Sequence, residues 1–84
     1  RFESIAEFKD CIGRGDEIEF EWKGVHFGMS GCQPKPEHRI MAYLWNQPDT
    51  EQYFDTPDDA LEYIVAGDRL RDIITQIDVL SRAF

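Results

Sequence analysis

Residues 17 to 29 carry the pattern that narrows the fold most. From Glu17 to Trp22 apolar and acidic side chains alternate without a break, Ile18, Phe20 and Trp22 against Glu17, Glu19 and Glu21. Successive side chains of an extended strand point to opposite faces, so this segment reads as a half-buried strand. Lys23-Gly24 follows, and Val25, Phe27 and Met29 resume the alternation. A glycine in a two-residue loop supplies the positive φ that a tight hairpin turn requires. Such a loop sets the register: Trp22 faces Val25, Phe20 faces Phe27 and Ile18 faces Met29, three apolar pairs on one face. His26, Gly28 and Ser30 then stand opposite Glu21, Glu19 and Glu17. The hairpin has one core face and one acidic face.

The flanking segments extend this unit into an α+β domain. Ser4-Ile5-Ala6-Glu7 has the form of a capping box, and Phe2, Ile5, Phe8 and Ile12 recur at helical spacing, so a helix starts there and stops at Gly13 or Gly15. Residues 31 to 37 contain Pro34 and Pro36, which lack amide donors, and read as a loop. Arg39 to Asn46 is apolar on both parities, which predicts a strand covered on both sides, by a helix, a partner or a second copy. Gln47 to Thr50 has turn chemistry, and 51 to 54 can add a short fourth strand. Thr56-Pro57-Asp58-Asp59 opens a helix expected to run through Ala66, with Ala60, Leu61, Ile64 and Val65 as its buried stripe. Gly67 ends it, and Asp68 is placed to cap a second helix carrying Leu70, Ile73, Ile74 and Ile77. Asp78-Val79-Leu80 fits either a continued helix or an extended tail. The expectation is one domain over residues 1–84: an N-terminal helix, a three- to four-stranded antiparallel meander sheet and two C-terminal helices.

Charge bounds the function. Of 84 residues, 17 are acidic and 9 basic, a net −8, whereas phosphate backbones and anionic lipids need clustered Lys and Arg. Nucleic acid and membrane surfaces are therefore excluded as direct partners. A 42% hydrophobic content rules out a disordered acidic tail. The absence of a long apolar run or a basic-then-apolar leader makes the cytoplasm the expected compartment, and with only two cysteines, Cys11 and Cys32, reduced thiols are expected.

No motif specifies catalysis. His26, Cys32, His38 and Cys11 are metal-ligand types, yet the first three are six apart in sequence with no paired knuckle, so neither metal nor cofactor is expected. A Cys32–His nucleophile pair has no orienting group and no oxyanion loop around it. Asp58-Asp59 is explained by helix capping, and Glu17, Glu19 and Glu21 by a solvent face. The chain reads as non-enzymatic.

The placement of the acids is more informative. Ten of the seventeen fall in residues 16–21 and 49–62, two stretches without a single Lys or Arg. Joined across a sheet, they would attract a basic protein surface, including that of a nucleic-acid-binding protein, which the chain would engage as an inhibitor or charge mimic. Exposed aromatics are the usual anchors of such interfaces. The predicted partner-binding residues are Asp16, Glu17, Glu19, Glu21, Asp49, Glu51, Asp55, Tyr43 and Trp45. The alternative is a homodimer or other homo-oligomer, or a small-ligand module, whose apolar sheet face from Met41 to Trp45 is covered by a second copy or an apolar ligand.

The run Glu-Ile-Glu-Phe-Glu-Trp-Lys-Gly (17–24), the segment Phe-Asp-Thr-Pro-Asp-Asp-Ala-Leu (54–61) and the closing Gly-Asp-Arg-Leu-Arg-Asp-Ile-Ile (67–74) resemble small proteins of Gram-positive bacteria and their mobile elements. That resemblance implies an order of elements and a bacterial cytosolic setting, and no activity. Element order and acidity are also similar to phage-encoded acidic inhibitors of RNA-guided nucleases, a likeness at fold level alone.

Overall fold

The computed structural model describes residues 1–31 and 40–83, the last two as backbone only. Ser4 starts helix α1 (Ile5–Gly13): its Oγ accepts from the Glu7 amide at 3.2 Å, while Glu7 Oε1 reaches back to accept from the Glu3 amide at 2.9 Å. Gly15, at φ 96°, closes the helix, and the Asp16 amide returns to the Cys11 carbonyl at 3.2 Å. Strands β1 (Glu17–Trp22) and β2 (Val25–Ser30) pair in the expected register, Trp22 to Val25, Phe20 to Phe27 and Ile18 to Met29. Lys23 and Gly24 stand at φ 50° and 79°, both positive as a mirror-image type I turn requires.

The next hairpin departs from expectation. β3 (Ile40–Leu44) ends earlier, the turn falls on Trp45-Asn46 with Asn46 at φ 60°, and β4 (Gln47–Phe54) takes in the residues expected to turn. Asparagine tolerates the left-handed region, and Pro48 is tolerated because β4 is an edge strand. Between the pairs Ala42–Gln52 and Leu44–Gln47 the register shifts, and residues 48–51 of β4 bulge out opposite Tyr43 alone. The Leu44 amide, released from the ladder there, donates to Thr50 Oγ1 at 2.9 Å, which in turn donates to the Gln47 carbonyl at 2.6 Å.

The C-terminal third is the main correction. The helix opened by Thr56, whose Oγ1 accepts from the Asp59 amide at 3.1 Å, lasts a single turn (α2, Pro57–Ala60) rather than continuing to Ala66. A small hairpin follows, β5 (Ile64–Val65) and β6 (Asp68–Arg69), turning on Ala66 and Gly67 at φ 51° and 82°. Leu61, Tyr63 and Val65 are buried while Ile64 is 55% exposed, so the segment follows period two and not the helical stripe. Asp68 caps nothing. It lies in β6, and α3 (Leu70–Ile73) begins after Arg69 without a side-chain cap. Residues 78–83 form a further strand, β7 (Asp78–Ala83).

β7 pairs antiparallel with the outer edge of β1, which completes a five-stranded antiparallel sheet in the order β4-β3-β2-β1-β7. Its register steps between Ser81 opposite Glu19 and Val79 opposite Phe20, leaving Leu80 as the extra residue of a bulge. The buried apolar residues form one cluster. Phe2, Phe8 and Ile12 cover one side of the sheet's Ile18, Phe20, Phe27, Met29, Ile40 and Ala42, and Leu61, Tyr63, Leu70 and Ile74 complete it. Phe20 and Phe27 stack at 4.9 Å in its centre. No helix of the described residues is long and apolar enough to cross a membrane.

Candidate functional site: the open sheet face

The pleat that turns Ile18, Phe20, Phe27 and Met29 inward turns Glu17, Glu19, Glu21, His26 and Ser30 to the opposite face. β3 alternates likewise: Ile40 and Ala42 are buried in the core, while Met41, Tyr43 and Trp45 stand on the acidic side. Tyr53, opposite Met41, and Glu51, whose Oε1 accepts from the Tyr53 hydroxyl at 2.8 Å, extend the same face into β4. The cover expected for the second face of β3 is not supplied by a helix of the described residues, and Trp45 stands 39% and Tyr53 37% exposed.

These rings are held in place. Tyr43 stands opposite Gly28, and a Cβ built on Gly28 would sit 2.6 Å from its ring and hydroxyl, so the absence of a side chain at 28 is what lets the ring lie across β2. The Trp45 amide donates to the His26 carbonyl at 2.9 Å, and the two rings stack at 4.6 Å with their planes 6° apart. His26 Nε2 lies 3.2 Å from Glu19 Oε1. Burial pushes the Tyr43 phenol above its ordinary pKa, and the carboxylates of Glu17 and Glu19 push it further. Tyr43 thus feels the acidic row of β1 from its place on β3.

Two depressions flank Tyr43. The wider, about 410 Å³, runs toward β4 along Ser30, Met41, Glu51 and Pro48. The narrower, about 120 Å³, lies toward β1 and β7 between Glu17, Ile18, Glu19, Tyr43, Trp45 and Ser81.

Not every expected residue belongs to this face. Asp16 is a correction: its side chain is 2% exposed and bonded to Arg14 Nη2 at 3.0 Å, which makes it an internal tie between the end of α1 and β1. The second acidic stretch divides. Glu51 joins the face, Asp49 lines a separate hollow with Thr50, Tyr63 and Ile64, and Asp55 is exposed in the turn before α2. Asp58 pairs with Lys9 at 3.0 Å and Glu62 with Arg71 at 3.0 Å. Met41 enters the expectations only through the apolar face of the alternative reading, Tyr53 is not among the predicted partner-binding residues, and His26 is absent from both. The hairpin arithmetic already set His26 opposite Glu21, and that was the available signal. Cys11 is buried on the core side, across the sheet from His26, while Cys32, His38 and most of the loop expected over 31–37 lie outside the described residues.

The sequence matches no family profile, and no curated protein or solved structure is detectably similar to it.

Proposed function

We propose that this is a non-enzymatic interaction protein whose open sheet face binds a basic surface of another protein, within the bacterial cytosolic setting that the resemblance implies. One observation carries the reading: Glu17, Glu19, Glu21 and Glu51 share a face with Tyr43, Trp45 and Tyr53, opposite the face that holds the core. Aromatics supply anchoring area at low entropic cost, and the carboxylates select and steer a cationic partner. A basic nucleic-acid-binding protein fits, with the chain acting as its inhibitor by occupying the channel meant for phosphates. Face-to-face self-association through Met41 to Trp45 is disfavoured, since it would set these carboxylates against their own copies.

The test is a salt-gradient affinity enrichment on the immobilised chain, followed by isotherms for the recovered partner. Glu17, Glu19 and Glu21 changed together to Gln should weaken binding at least about tenfold, and affinity should fall steeply with salt because exposed charges are screened beyond about 8 Å at physiological ionic strength. Unchanged binding by the triple variant would remove this face from the account. Light scattering that shows a stable dimer at micromolar concentration would favour self-association instead.

A further inference from the structure

The narrower depression has a more particular chemistry than the face around it. Glu17 and Glu19 are alternate residues of one strand, so their carboxylates flank it about 7 Å apart at the backbone. Tyr43 and Trp45 wall it on the β3 side, their rings 6.3 Å apart and inclined at 29°. Both rings are fixed before any ligand arrives, one laid over Gly28 and the other stacked on His26. The contact with His26 uses Glu19 Oε1, and the carboxylate has a second oxygen. A volume near 120 Å³ matches one small head group.

Two carboxylates and two aromatic walls around so small a space ask for a cation that is planar and weakly hydrated. A guanidinium meets both demands, pairing with carboxylate through its rigid fork and stacking on a ring face. A lysine ammonium is compact and strongly hydrated, and gives up more on entering. We propose that this slot receives an arginine side chain of the partner, an inference that rests on the acidic-face reading above and narrows it.

Amide-spectrum titration of the full chain with blocked tri-arginine and blocked tri-lysine peptides of equal charge tests it. Tri-arginine should bind at least about fivefold tighter than tri-lysine, with shifts centred on the Trp45 indole, Tyr43 and Ser81. The double change Glu17→Gln and Glu19→Gln should erase that preference, while Glu62→Gln, remote from the slot, should keep it. Equal affinities for the two peptides would overturn the arginine slot and leave the acidic face standing. A preference that survives the double change, or shifts centred elsewhere, would overturn it as well. If neither peptide binds, the arginine slot is overturned, and the acidic face is decided by the partner isotherms alone.

Discussion

Ala66 is the residue with most to say about local strain. At φ 51° it occupies a region where a Cβ crowds the following carbonyl, at a cost of about 1–2 kcal/mol that glycine avoids. Against the extra freedom glycine brings to the unfolded chain, Ala66→Gly is expected to stabilise the domain by about 0.5–1 kcal/mol, read as a rise of a few degrees in Tm. Asp68 makes a different point. The Lys23 ammonium, 2.9 Å away, and the Trp22 indole N–H, also at 2.9 Å, hold its carboxyl below the ordinary value of 3.8. Near and below that pH the unfolded chain then binds more protons than the folded one, so the stabilisation is complete above pH 3.8 and lost as the pH falls further. Urea midpoints between pH 7 and pH 2 should show Asp68→Asn less stable than the parent at neutral pH, with the gap closing in acid. Asp16 marks the limit of reading single residues: an acid beside an alternating acidic strand looks like surface, and only the glycine-bounded turn that brings Arg14 over it makes it internal.

At the scale of elements, legibility followed how local each cause was. The β1–β2 hairpin was readable to the register because thirteen contiguous residues hold its alternation, its turn and its cross-strand pairs. Helix α1 was readable for the same reason, its cap and stripe lying within the eleven residues from Phe2 to Ile12. The region after Ala60 was not. Leu61, Ile64 and Val65 fit a helical stripe as well as Leu61, Tyr63 and Val65 fit a strand, and the arbiter is the Trp22 contact to Asp68 across forty-six positions. β7 was ambiguous in sequence because its alternation is short, and it is a strand because β1 offers an open edge. The β3–β4 bulge depends on a side chain standing in for a ladder partner. Thr50→Val keeps the shape and removes the oxygen, and should cost about 1–2 kcal/mol by leaving the Leu44 amide without its acceptor, measurable as a lower urea midpoint at unchanged slope.

On the molecule as a whole, the two faces of one sheet answer to opposite demands. The inner face is closed by helices and a hairpin, and its residues are set by packing. The outer face lines up Glu17, Glu19 and Glu21 along one strand and sets Asp78 of β7 opposite Glu21, and a like charge directly opposite destabilises a sheet. A surface kept for binding should therefore cost stability, and a surface kept for solubility alone has no reason to concentrate its acids between aromatic rings. The Glu17, Glu19 and Glu21 triple change to Gln is accordingly expected to raise stability by roughly 0.5–1 kcal/mol while it weakens partner binding, and thermal melts paired with isotherms check both signs. The core face of the hairpin and its acidic counterpart were both legible in the sequence. The aromatic half of the face was named only through Tyr43 and Trp45, because the laying of one ring over Gly28 and the stacking of the other on His26 depend on which strands become neighbours.

That neighbourhood also sets an order in time. Strands β1 to β4 follow one another in the sheet in chain order, so most of their pairings close short stretches of chain, whereas β7 meets β1 across 57 to 66 positions, from Glu21–Asp78 to Glu17–Ala83. Closing a long stretch carries the larger entropic delay, and distant pairings are the slow ones. The meander thus assembles ahead of its last strand. Since Ser81 of that strand forms one wall of the narrow slot beside Tyr43, the surface proposed for binding is complete only once the last strand has docked.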